Sequence, residues 1–393
     1  MRRTLRLATF TTALITAASL ALAPVTAGSA ASWSAAPAGT ANWPQFHFNA
    51  AHTGYNPAET MIGTGNVSSL KLLWARYDGQ GSSFSSVSVS SGRAFLGTLG
   101  DSVLRAWGAV RGGPQWSAQA SDGLESTAAV GGGRAFVESD GGTLYAFSAK
   151  TGALLWSQST GGAATSPTLV NGVVYAAGYF TMNAFSAVTG ALLWSTGLPG
   201  LVRSVPAVAD GTVFVSDESN SNKDATLVAL DASTGATLWG AKLHGEGFVQ
   251  EASPVFGGGK VYLCTSAGLY AFGAAAGFRY WFTPEGCDDN TTPALAQGVL
   301  YTDANDQTWA FSASTGALLW SAASGGGDGP PAVANGVLYV TTDAGTIQAY
   351  DVASHALLWT SQHTGSGASG PAVVNGVLYA GGDNGLYAFG LPS

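Results

Sequence analysis

Tryptophan holds a register through this chain. Trp74, Trp116, Trp156, Trp194, Trp239, Trp281, Trp320 and Trp359 follow one another at a mean interval of about 41 residues. Seven of the eight stand ten positions after an alanine: Ala106, Ala146, Ala184, Ala229, Ala271, Ala310 and Ala349. The best copies read AFSAKTGALLW (146–156), AFSAVTGALLW (184–194), ALDASTGATLW (229–239) and AFSASTGALLW (310–320). Each predicts two short strands joined at a Thr-Gly turn, where glycine suits the left-handed conformation of a bulged hairpin. Upstream lies a second hairpin, as in SPTLVNGVVYAAG (166–178) and GPAVVNGVLYAGG (370–382). Asn-Gly between alternating apolar runs is the strongest short-range hairpin signal. A third turn, with Asp140-Gly141 or Asp343-Ala344-Gly345 at its tip, joins the two hairpins. The unit is a four-stranded antiparallel meander, the measure of a β-propeller blade. Helical solenoids are excluded, because no segment sustains a 3.6-residue apolar period with caps.

The ends decide the count. The last blade begins near Ser369, and its tryptophan would fall beyond Ser393, while Trp74 in LKLLWARY has no alanine ten residues before it. The surplus strand at the front fits the vacancy at the back. An all-β, eight-bladed propeller over 70–393 is expected, with 70–77 as the outermost strand of the last blade and 31–69 as an N-terminal strap. Closure of this kind removes the free sheet edge. The tryptophans are expected to wedge between blades.

Only 10% of residues are charged, and 55 are glycine. Low charge can mark membrane proteins, yet past the N-terminus no apolar run approaches the roughly 18–20 residues of a spanning helix. Disorder is excluded by 12 Trp, 13 Tyr and 17 Phe. Residues 1–30, with Arg2, Arg3 and Arg6 before an apolar stretch from Leu7 to Leu22, read as a secretory signal, which predicts a secreted or extracytoplasmic protein. Its removal leaves 12 basic against 23 acidic residues, a net charge of −11 that argues against nucleic acid as a partner. In an oxidising compartment Cys264, expected on the turn after the second strand of its blade, and Cys287, on the connection to the next blade, favour one disulfide; the alternative is two buried thiols.

The spacing Ala-x-x-x-x-Thr-Gly-x-x-x-Trp resembles the tryptophan-docking repeat of the pyrroloquinoline quinone (PQQ) repeat propellers, and WPQFHFNAAHTGYNP (43–57) resembles their lead-in. That family includes quinoprotein dehydrogenases and non-catalytic relatives, so the resemblance is specific for fold and poor for function. The enzymes are similar in carrying an adjacent Cys-Cys pair over the cofactor, calcium ligands and an Asp base; here the two cysteines are 23 positions apart. The resemblance therefore implies a non-catalytic relative before it implies an enzyme.

Innermost blade strands start at one mouth of the channel. Aligned three residues before the recurrent proline, this position holds Glu125, Arg203, Glu251, Asn290 and Asp328, a concentration of polar groups for so sparsely charged a chain. These are the candidate ligand-binding residues. Glu251, Asn290 and Asp328, on three successive blades, are weak candidates for calcium, whose hard oxygen ligands they match; the bland alternative is a solvated rim. His47 and His52 read as a packed strap, and Asp303 and Asp306 as turn residues equivalent to Asp140 and Asp343. The expected function is a monomeric binding scaffold for a protein segment or small ligand. The alternative is a PQQ- and calcium-dependent oxidoreductase acting on alcohols or sugars, with Glu125 among the calcium ligands and Arg203 near the quinone.

Overall fold

A computed structural model describes residues 42–77, 85–162, 165–218, 225–243, 252–327, 329–362, 364, 369–382 and 385–392. The expected signal segment lies outside them. Eight small antiparallel sheets succeed one another along the chain. Their innermost strands are Ser88–Ser90, Ala129–Gly131, Thr168–Val170, Ala207–Ala209, Val255–Gly257, Ala294–Ala296, Ala332–Ala334 and Ala372–Val374, for blades 1 to 8. Each neighbours the innermost strand of the next blade, and that of blade 8 neighbours that of blade 1, so the ring closes. Lys71–Tyr77 pairs with Gly385–Gly390 as the outermost strand of blade 8, and the two ends of the fold share one sheet.

The alanine–tryptophan register is a cross-strand pair. Ala146 faces Trp156, Ala184 faces Trp194, Ala310 faces Trp320, and a bulge follows each pair. Trp74 has the same partner in Ala388, from the other end of the chain. Each ring then reaches the next blade. The indole N–H of Trp116 donates to Ala149 O at 3.1 Å, that of Trp156 to Ala187 O at 3.2 Å, and that of Trp239 to Ala274 O at 2.8 Å. The ring lies over the Thr-Gly turn of that blade: a Cβ on Gly235 would stand 2.6 Å from Trp194 Cε3. The turn glycine is thus fixed twice, by its φ of +74° and by the ring above it. Trp74, Trp194 and Trp320 are buried, whereas Trp116, Trp156, Trp239, Trp281 and Trp359 remain partly exposed, so the wedge is a lid over a turn more than a core side chain.

Two faces follow from the meander. On one, the first and third turns of blades 1 to 7 are tied together, as by Ala149 N–H to Gly133 O at 2.9 Å. On the other, the second turn is tied to the linker into the next blade, as by Thr160 N–H to Gly142 O at 2.9 Å.

The strap closes the first face. Trp43 bridges Val89 of blade 1. Pro44 O, Ala50 O, Ala51 O, Thr53 O and Gly54 O then accept the N–H groups of Val130, Val208, Phe256, Leu295 and Val333. Gln45 Oε1 accepts Leu169 N–H at 2.9 Å, and Asn56 Nδ2 donates to Val373 O at 2.8 Å. One traverse therefore reaches the middle residue of all eight innermost strands, whose inner edges would otherwise present unpaired backbone. His47 and His52 are buried in this plug, His47 Nε2 at 2.8 Å from Pro331 O and His52 Nδ1 at 3.1 Å from Pro254 O. Burial lowers His47 to about 4, and burial with the neighbouring His47 lowers His52 to about 3.

Two local expectations are corrected. Asp303 is not a turn residue: it lies in the strand Val299–Ala304 and is buried, and the turn belongs to Asn305 and Asp306, both with positive φ. Cys264 lies within the strand Lys260–Thr265 and not after it.

Candidate binding mouth

With the strap filling one end, the channel's other end is the face that carries the second turns and the inter-blade linkers. Glu125, Arg203 and Asn290 lie on those linkers, ahead of the innermost strands of blades 2, 4 and 6; the first two are exposed and Asn290 is half-buried. Glu251 and Asp328 lie outside the described residues, so of the calcium trio only Asn290 is placed. Its N–H donates to Asp288 Oδ1 at 3.0 Å, and the same oxygen accepts Thr291 N–H at 2.8 Å, which makes Asp288 a turn acceptor. Among the described residues no three His, Cys, Asp or Glu side chains are placed to share a metal ion.

Beneath the mouth, hydroxyls staple blade to blade. Ser86 N–H donates to Thr127 Oγ1 at 3.1 Å, Thr127 N–H to Ser166 Oγ at 2.8 Å, Val205 N–H to Ser253 Oγ at 3.0 Å, and Ser253 N–H to Thr292 Oγ1 at 3.0 Å. One residue earlier, Ser126 and Ser204 hydrogen-bond within their own blades to the backbones of Glu138 and Ser216. The Ser/Thr richness of this region is wall structure as well as lining.

Sequence reasoning missed three buried carboxyls at this end. Glu138 accepts from Thr160 Oγ1, and Asp303 from Ser324 Oγ at 2.6 Å, the same geometry in blades 2 and 6; Glu138 Oε2 and Asp303 Oδ2 are buried without a hydrogen-bond partner. Burial holds Glu138 well above the carboxylate range and pushes Asp303 up to about 7, with Asp343 and Asp288 adding repulsion. Asp217 is raised to about 6 by burial. At neutral pH Glu138 is thereby held protonated, Asp303 stands near its midpoint, and Asp217 is mostly ionised. Their strand positions are visible in the sequence; their burial is not.

The mouth also carries an aromatic tip. Tyr179 and Phe180 form the second turn of blade 3 and are 49% and 47% exposed, where blades 2, 6 and 7 place Asp and Gly or Asn. Tyr179 O accepts Val202 N–H and Phe180 O accepts Leu198 N–H, both at 2.8 Å, so the tip is tied to the linker that bears Arg203. The same alignment of turns that located Arg203 could have found it. At this face Cys264 and Cys287 form a disulfide with Cα atoms 5.4 Å apart, joining blade 5 to the linker that follows it.

No curated protein matches the sequence. Among solved structures, the chain is similar to BamB from Moraxella catarrhalis, with 18% identity and TM-score 0.66 over 81% of this chain and 99% of that one. It is also similar to a europium-containing methanol dehydrogenase, with 15% identity and TM-score 0.77 over 89% of this chain and 98% of the other. A quinohemoprotein alcohol dehydrogenase from Comamonas testosteroni gives 15% identity and TM-score 0.74 over 89% and 80%. At these identities the likeness is one of fold. A family profile described as outer membrane protein assembly factor BamB matches residues 71–306 and 269–391. With nearly the whole propeller covered, the chain belongs to that family of PQQ-repeat β-propellers.

Proposed function

We propose that the protein is a secreted, non-catalytic PQQ-like propeller that acts as a monomeric scaffold and holds a protein segment or small ligand at its mouth. One observation carries the reading: the strap occupies one end of the channel, and the other presents an exposed aromatic tip tied to the linker of Arg203, with Glu125 exposed on the linker into blade 2. Aromatic and guanidinium groups are the side chains that most often anchor partners. Similarity to BamB supports a protein-binding role, and the disulfide suits an extracytoplasmic site.

The dehydrogenase neighbours motivate the alternative, a PQQ- and calcium-dependent oxidoreductase. The described residues do not fit the quinone. It is a planar tricarboxylate, and Arg203 is the single cation described at the linker positions, against Glu125 and the nearby acids Asp122 and Asp140. The cysteines are spent on a bridge between elements and form no adjacent pair. The test is to select binding peptides on the mature protein and remeasure them on Tyr179→Ser and Arg203→Ala. A loss of tenfold or more in Kd is expected, with no dye reduction after PQQ and calcium are added. Unchanged peptide affinity, or PQQ-dependent turnover of an alcohol or sugar, overturns the proposal.

A further inference from the structure

We propose that the strap-side face of blades 8, 1 and 2 docks on an anionic lipid bilayer. The argument starts from how the meander sorts charge. First and third turns fall on the strap side, second turns and linkers on the mouth side. In blades 8, 1 and 2 the strap-side positions hold Lys71, Arg93, Arg111, Arg134 and Lys150, at turns or at strand starts next to them. Arg76 joins them, since its guanidinium reaches Gly112 O and Arg111 O in the third turn of blade 1. The described acids of blades 1 and 2, Asp101, Asp122, Glu125, Glu138 and Asp140, all lie on the mouth side.

Two further facts keep this basic sector unneutralised. Glu59, the acid of the strap beside blade 8, is buried and accepts N–H groups from Met61, Ile62 and Gly376. Among the described residues the ion pair is Asp101 with Arg105, on the mouth side. Other strap-side acids, Asp210, Asp231 and Asp351, belong to blades 4 and 7. A protein of net negative charge thus offers one contiguous cationic face.

Apolar side chains stand among the cations. Val110 is 71% exposed at the third turn of blade 1, Met61 is 58% exposed on the strap beside blade 8, and Leu154 is 56% exposed at the first position of the outermost strand of blade 2. Leu72, Leu73 and Leu155 are exposed at equivalent places. They are separate points on turns and strand starts. A lipid interface accepts dispersed apolar points between basic residues that meet anionic headgroups. Docked this way, the mouth faces away from the membrane.

Sedimentation with vesicles tests this on the mature chain. Binding to phosphatidylcholine vesicles that contain phosphatidylglycerol is expected, with none to phosphatidylcholine alone, and it weakens as salt rises. Arg111→Gln with Lys150→Gln is expected to weaken binding about 30-fold, from about fivefold per basic residue at a membrane surface. Lys242→Gln, an exposed cation at the mouth end of blade 4, leaves it unchanged. Val110→Ser with Leu155→Ser weakens vesicle binding and leaves binding to dextran sulfate as it was. Unaltered melting temperatures verify that the variants fold. Failure to bind anionic vesicles, or equal loss in Lys242→Gln, overturns the proposal. Dextran sulfate binding as tight as vesicle binding, with no effect of the apolar pair, also overturns it and makes the face a site for a soluble anionic polymer.

Discussion

Gly211 and Gly235 share one blade and nearly one backbone conformation, φ +75° and +74°, but differ in surroundings. A Cβ on Gly211 meets nothing within 4 Å, whereas on Gly235 it stands 2.6 Å from Trp194 Cε3 and 2.6 Å from Thr196 Oγ1. Alanine at either site adds left-handed strain of about 1–2 kcal/mol and the same reduction of unfolded-chain entropy. Only Gly235→Ala adds overpacking, about 1–3 kcal/mol when a packed site must shift. The difference between the variants isolates the docking of the ring on the turn. With an unfolding entropy near 2.1 cal/mol/K per residue, a chain of this length loses roughly 1–1.5 °C for each kcal/mol, so Gly235→Ala is expected to melt about 1–4 °C below Gly211→Ala. Thermal unfolding by circular dichroism, with guanidinium midpoints as a second measure, reads this. Equal losses in the two variants would refute the claim that the turn glycine is kept for the tryptophan. Blade 7 offers a natural variant: His355 replaces the glycine at φ 65° and stacks on Trp320 at 4.9 Å. His355→Gly relieves strain and forfeits a stacking contact of similar size, so a change within about 1 kcal/mol is expected.

Trp239→Ala removes a partly exposed ring and its bond to Ala274 O, and a loss of about 3 kcal/mol is expected, the low end for truncating a large aromatic; an unchanged denaturant midpoint contradicts the docking role. Asp303, raised to about 7, stabilises the fold while protonated, and that contribution is lost as pH rises through 7. Asp303→Asn keeps the neutral form, so the stability gap between wild type and variant is expected to move by about 2 kcal/mol between pH 5.5 and pH 8; a gap independent of pH would show the carboxyl to be ionised throughout. His47 and His52 act in the opposite sense: their lowered values give stability that is complete above about 6.5 and lost as pH falls through 4. Reducing the Cys264–Cys287 bridge, which closes a loop with sequence separation 23, is expected to cost about 3.5 kcal/mol. Alkylation of the intact protein without reductant is expected to add no label.

Register made the ring legible, and the reason is physical. An alanine opposite a tryptophan across a bulged hairpin is a local requirement repeated in every blade, so it survives as a fixed spacing of ten. Trp74 lacked that spacing because its alanine, Ala388, comes from the far end of the chain, and the missing partner itself predicted the closure. The strap had no such signature. It meets the innermost strands at uneven intervals along its own sequence, through carbonyls at Pro44, Ala50, Ala51, Thr53 and Gly54 and side chains at Gln45 and Asn56, so no spacing in it recurs. Its irregular course needs left-handed backbone at His47, Phe48 and His52, and the bulky Phe48 does not announce such a conformation. At the mouth, alignment located Glu125, Arg203 and Asn290 because linkers share a register. It passed over Glu138 and Asp303, which share a strand position and a hydroxyl partner, because a carboxylate in a blade alignment looks like any turn acid until the neighbouring blade covers it. Repetition encodes what each blade needs from the next. What the eight blades do together, whether gripping one strap or sorting charge to two faces, is written once and becomes visible only when the ring is closed.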